Sequence, residues 1–157
     1  YEAYNLFGSL EGFGDAAGRM RGCVQTFPQG ETYHGEAFKS RSCSLTIKPP
    51  TEDGSRTYIK IYGGSGEHVC SLGIDAGKSG KVWLPAGSYR IKSAYGHGAW
   101  FGETDLFGDE GTYQLLKAGS SDAFDLKKNY AYTLTLRSAR NVSGDPVNTS
   151  SEDREGF

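Results

Sequence analysis

The sequence predicts an all-β fold, an antiparallel β-sandwich of jelly-roll-like type in a single domain. Apolar and polar residues alternate with period two through most of the chain from Cys43 onward, which is the signature of half-buried strands. Strand starts recur at the spacing of roughly 8–12 residues seen in sandwiches. Glycine supplies 23 of the 157 residues, well above ordinary usage, and ten tyrosines and eight phenylalanines stand beside a single methionine. Turn formers and β-formers therefore outweigh helix formers.

The elements follow in order. Residues 1–40 carry Gly8, Gly12, Gly14, Gly18, Gly22, Gly30 and Gly35 without a clean period, so a loop-rich segment with one or two short strands is expected. Cys43, Leu45 and Ile47 alternate with Ser44, Thr46 and Lys48 until Pro49-Pro50 stops the strand. Thr57, Ile59 and Ile61 alternate with Tyr58, Lys60 and Tyr62, and the run Gly63-Gly64-Ser65-Gly66 turns the chain. Further strands are expected over residues 68–74, 80–84, 88–95, 112–116, 123–127 and 130–137. Leu84-Pro85-Ala86-Gly87 has the residue preferences of a type I turn and reads as a hairpin. Lys127-Lys128-Asn129 joins the last two strands, with Asn129 suited to a left-handed conformation.

Residues 1–140 are expected to form the module, and residues 141–157, polar and acidic with few apolar anchors, a linker or disordered tail. Such a tail fits a module of a larger multimodular protein. The start at Tyr1 reads as a mature or trimmed product without its targeting peptide.

Charge and cysteine content narrow the function. A net charge of −2 argues against a dedicated nucleic-acid binder, which needs a basic patch to release counterions. No run of apolar residues is long enough for a spanning helix, so no membrane insertion is expected. Cys23, Cys43 and Cys70 contain no C-x-x-C pair. Three readings stay open for them: three buried thiols, one disulfide with a free cysteine, or metal ligation.

Residues 96–111 separate two strands by more than an ordinary hairpin loop and concentrate aromatic rings, carboxylates and glycines. In one reading Trp100, Leu106 and Phe107 fold under the loop as a plug. In the other the loop is a ligand platform, since ring faces bordered by carboxylates suit sugar C–H faces and hydroxyls. The functional expectation takes the platform. Trp100 and Tyr95 would stack on sugar, Phe101 would form a wall, and His97, Glu103, Asp105 and Gln114 would hydrogen-bond hydroxyls.

Trp83 and Tyr58 are secondary aromatic candidates, each opposite the core-facing residues of its strand. Asp105, Asp109 and Glu110 offer hard oxygen ligands and form a candidate Ca²⁺ site, although their spacing is not that of an EF-hand. No cofactor is otherwise expected. His34, His68 and His97 sit in no nucleophile or zinc motif, and the chain is not expected to be an enzyme.

The runs Val82-Trp83-Leu84-Pro85-Ala86-Gly87-Ser88-Tyr89, Trp100-Phe101-Gly102-Glu103, Leu106-Phe107-Gly108 and Tyr130-Ala131-Tyr132-Thr133-Leu134-Thr135-Leu136 resemble secreted β-sandwich modules of gut anaerobic bacteria. Those modules read L-P-A-G-x-Y and then W-Y-G-x-x-x-L-F-G. The pattern is also similar to a module of the starch adherence system proteins of cell-surface amylosomes. Phe101 stands where many of the modules have Tyr, which removes one hydroxyl. The resemblance covers about a third of the chain and implies non-catalytic binding of starch-type α-glucan at a bacterial cell surface. The alternative is a structural or adhesive module that contacts another protein through a face bearing Trp83 and Tyr58.

Overall fold

Strands with one apolar side must bury it against a second layer, and here two unequal sheets do so. The computed structural model describes residues 1–10, 12–50, 54–136, 147–152, 154 and 157. Its strands are β1 (Gly30–His34), β2 (Cys43–Lys48), β3 (Arg56–Gly63), β4 (His68–Ile74), β5 (Gly80–Leu84), β6 (Gly87–Gly96), β7 (Thr112–Ala118), β8 (Phe124–Leu126), β9 (Ala131–Thr135) and β10 (Val147–Glu152). Helices α1 (Glu2–Ser9) and α2 (Ala16–Gly22) precede them. The larger sheet has seven strands in the order β1-β4-β3-β6-β7-β10, with β8 also paired to β6, and the smaller has the order β5-β2-β9. Pairing is antiparallel except between β2 and β9, which run parallel from Ser44 opposite Ala131 to Lys48 opposite Thr135. The fold is an all-β sandwich in one domain. None of the described helices is long and apolar enough to cross a membrane.

Period two explains the interior. Ile59, Ile61, Cys70, Leu72, Ile74, Tyr89, Ile91, Leu116 and Leu126 of the large sheet face Cys43, Leu45, Ile47, Val82, Leu84 and Leu134 of the small one. Each such aliphatic side chain contributes about 1.5–3 kcal/mol on burial. The strands of the large sheet also bury part of their far face. There Tyr58, Ala94 and Tyr113 pack under Phe27, Trp100, Leu106, Phe107 and Phe157. Coverage on both sides makes β4 buried at every residue from Val69 to Ile74.

Three expectations are corrected. The glycine-rich start contains two helices besides β1, and α1 and α2 pack on each other. The turn at residues 84–87 is not a hairpin, because β5 pairs with β2 and β6 with β3. It carries the chain from one sheet to the other, and the Tyr89 hydroxyl donates to the Pro85 carbonyl at 3.0 Å to fix the crossing. Residues 127–129 join β8 to β9 as expected, here passing from the large sheet to the small one, and Asn129 takes the expected left-handed φ of 68°.

The third correction concerns the tail. Part of the expected linker is strand β10, paired with β7 from Val147 opposite Ala118 to Glu152 opposite Tyr113. Without β10, β7 would present an open edge of N–H and C=O groups, and backbone pairing there requires no apolar side chains. Phe157 is buried, its ring 5.8 Å from Tyr113. Arg137 and the rest of residues 137–146 lie outside the described residues. Cys23, Cys43 and Cys70 are all free, so no disulfide forms.

Candidate functional site

The loop at residues 96–111 is a plug and not a platform. Trp100 is 2% exposed and Phe101 7% exposed, so neither ring offers a face to a sugar. The Trp100 ring sits 4.9 Å from Tyr58, 5.1 Å from Phe27 and 5.3 Å from Phe107. Phe101 is gripped edge-on by Tyr1 and Tyr4, each at 4.9 Å. Backbone bonds close the loop on itself, from the Phe101 N–H to the Leu106 carbonyl at 2.7 Å and from the Leu106 N–H to the Gly102 carbonyl at 2.8 Å. The apolar far face of the large sheet needs cover, and burying these rings supplies it. Gly96 permits the approach, since a Cβ there would stand 2.9 Å from the Phe107 ring.

The other expected contacts do not converge. Tyr95 and Gln114 are brought together, with Gln114 Nε2 donating to the Tyr95 hydroxyl at 3.3 Å. By alternation they lie on the opposite side of the sheet from Ala94 and Tyr113, and hence from Trp100. His97 is exposed at the start of the loop. Asp105 accepts a hydrogen bond from the Tyr1 backbone nitrogen at 2.9 Å. Asp109 lies 3.8 Å from the Arg154 guanidinium, and Glu110 is exposed. The Ca²⁺ site considered at Asp105, Asp109 and Glu110 does not assemble, because among the described residues no group of three such ligands is placed to hold a metal ion.

Glu103 borders a polar region on the far face of the large sheet. There the buried Tyr58 hydroxyl shares a 2.8 Å hydrogen bond with Thr32, and His68 Nε2 is 2.7 Å from the Ser71 hydroxyl. The His68 imidazole stacks on Tyr33 at 4.5 Å and lies 5.4 Å from Tyr62. Burial pushes the Tyr58 hydroxyl up to about 12, with Glu103 adding to the rise. Burial lowers Lys60, against the pull of Glu103, and burial followed by the Lys60 charge lowers His68.

Trp83 differs from Trp100 in kind. It alternates with the buried Val82 and Leu84 and is 39% exposed, the ring lying on the outer side of β5. The adhesive face drawn through Trp83 and Tyr58 does not exist, because Tyr58 is fully buried on the far side of the other sheet. Instead Trp83 lines a cleft of about 330 Å³ where edge strands β1 and β5 meet the segment that leads into β2. Its walls are Glu31, His34, Lys39, Arg41, Lys81, Val82 and Trp83. His34 is held at both nitrogens, Nδ1 2.9 Å from Glu31 and Nε2 3.0 Å from the Phe38 carbonyl. Lys39 is paired with Glu36. The Lys81 ammonium lies 4.8 Å from the centre of the Trp83 ring.

An exposed indole with carboxylate, guanidinium and ammonium groups at the rim can stack on an apolar ring face while fixing its polar substituents. Sequence reasoning marked Trp83 but missed Glu31, His34, Lys39 and Arg41, which come from the aperiodic segment. A second cleft, of about 240 Å³, lies by β8 and β9 and is lined largely by apolar side chains including Leu45, Phe124, Leu126 and Tyr132. Set against known proteins, the chain matches no protein-family model, no curated protein and no solved structure.

Proposed function

We propose that this chain is a non-catalytic carbohydrate-binding module that takes its ligand in the Trp83 cleft. The observation that carries the reading is the indole, left 39% exposed on an outer strand at the wall of a cleft with charged groups. An aromatic ring at the wall of a cleft, flanked by a few polar groups that can fix orientation, is the usual make-up of a ligand site. The cleft volume lies at the lower end of ligand sites, the scale of a short saccharide. The resemblance of residues 82–136 supports an extracellular, cell-surface setting within a larger multimodular protein, and it favours α-glucan as ligand.

Native gels, each containing one polysaccharide (starch, glycogen, cellulose, xylan or mucin), test the reading. Retardation by a glycan is expected, and a folded Trp83→Ala variant should lose it, with a weakening of about 1–3 kcal/mol for a hot-spot ring. Undiminished retardation of that variant would move the site elsewhere.

A protein-contact role is the second reading, favoured by Leu6, Leu10 and Phe13 around the α1–α2 pair, which are 59%, 42% and 77% exposed. It predicts that Phe13→Ser abolishes a self- or partner association visible by light scattering. A monomer indifferent to that change would count against it.

A further inference from the structure

We infer that the Trp83 cleft selects a saccharide bearing a carboxylate, a uronic acid, over a neutral glucan. The inference rests on the carbohydrate-binding reading and deepens it by naming the ligand's charge. It departs from the neutral α-glucan that the resemblance implies.

The charges in the cleft carry the argument. Glu31 is engaged by His34, and Lys39 by Glu36. Arg41 and Lys81 remain as cations without an anionic partner among the described residues. They stand on a chain whose net charge is −2, so the positive character is local to the cleft and not a reflection of overall composition. Arg41 brings a planar fork whose two N–H groups match a carboxylate's two oxygens.

The Lys81 position decides between neutral and acidic sugars. Its ammonium already lies over the indole at 4.8 Å, where a stacking sugar must go. A neutral glucose ring displaces that ammonium and forfeits the cation–π contact, with no new charge pair in return. A uronic acid ring turns the same displacement to advantage. Its C–H face meets the indole while its carboxylate, at the position of a glucose hydroxymethyl group, receives Lys81 and Arg41. Glu31, fixed by His34, is left to accept sugar hydroxyls.

Calorimetry on the full chain with two ligands of identical linkage tests this. One is maltotriose and the other is maltotriose carboxylated at each C6. The carboxylated sugar should bind at least about tenfold tighter at low ionic strength, and added salt should erode the advantage. Arg41→Gln should remove most of the preference, whereas Trp83→Ala should weaken both sugars. Equal binding of the two, still dependent on Trp83, would overturn the carboxylate selection and leave the carbohydrate role standing. A preference that survives both Arg41→Gln and Lys81→Met would overturn it as well. No binding of either sugar or of polygalacturonate would remove the inference and the carbohydrate reading of this cleft together.

Discussion

The rings of Trp100 and Tyr58 meet at 4.9 Å on the far face of the large sheet, and this contact separates the roles of the two tryptophans. Trp100 belongs to the cluster that covers the sheet, and Trp83 does not. Trp100→Ala should therefore cost about 3–5 kcal/mol of stability in urea unfolding. Trp83→Ala, at an exposed position, should stay within about 1 kcal/mol of the parent. Iodide should quench Trp83 fluorescence well and Trp100 poorly. Equal quenching of the two, read in single-tryptophan variants, would contradict the plug.

The Tyr89 hydroxyl and the Pro85 carbonyl, 3.0 Å apart, give the second prediction. The ring of Tyr89 is packed between the sheets, where burial pushes its hydroxyl up to about 12. Tyr89→Phe keeps the ring and deletes only the donor, which leaves the carbonyl short of a partner at the sheet crossing. The expected loss is about 1 kcal/mol, read as a lower denaturation midpoint with an unchanged slope. A neutral outcome would mean that water satisfies the carbonyl and that the ring alone shapes the corner.

Much of the fold was legible because period two survives wherever a strand has one buried side. β2, β4 and β5 fall at the expected bounds, and β3, β6 and β7 within two residues at either end. What failed was partnership. The preferences at Leu84-Pro85-Ala86-Gly87 describe a local bend, and a bend says nothing about which sheet receives the next strand. The helices of residues 1–22 were hidden by glycines that interrupt any helical period, and β10 by a polar stretch that pairs through its backbone. The platform expectation at residues 96–111 fails for another reason. Aromatic composition is identical for a plug and a platform, and the deciding fact is whether the sheet beneath is apolar. Tyr58, Ala94 and Tyr113 at outward positions carried that signal. The cleft at Trp83 was half legible, since alternation exposes the ring while only the fold brings Glu31 and Arg41 to it.

The three thiols should differ sharply in reactivity. Cys23 is half-buried, whereas Cys43 and Cys70 lie in the inter-sheet core. Cys43 donates to the Lys127 carbonyl at 3.0 Å, and burial raises its thiol. Burial pushes Cys70 up to about 12, so its thiolate is scarce at neutral pH. Native protein should consume one equivalent of a disulfide reagent quickly and the other two only after denaturation. An intact mass two hydrogens short of the fully reduced chain would instead reveal a disulfide and require Cys43 or Cys70 to be repositioned.

His68 gives a pH prediction whose sign follows from its surroundings. Burial and then the Lys60 charge lower its pKa, while the Cys70 backbone and the Glu103 carboxylate oppose them more weakly. Tyr33 and Tyr62 close on the imidazole and Ser71 holds Nε2, so a neutral ring suits the folded protein. The unfolded chain, with an ordinary imidazole near about 6.5, then binds a proton at a pH where the folded chain does not. Stability linked to His68 is thus complete above that range and falls as the pH drops through it. The fall ends once the folded ring is itself protonated. The readable quantity is the difference between the parent and His68→Gln. The parent's midpoint should drop more steeply than the variant's below neutral pH, and the two slopes should agree above it. A variant with the same acid slope as the parent would place the pH dependence on other groups.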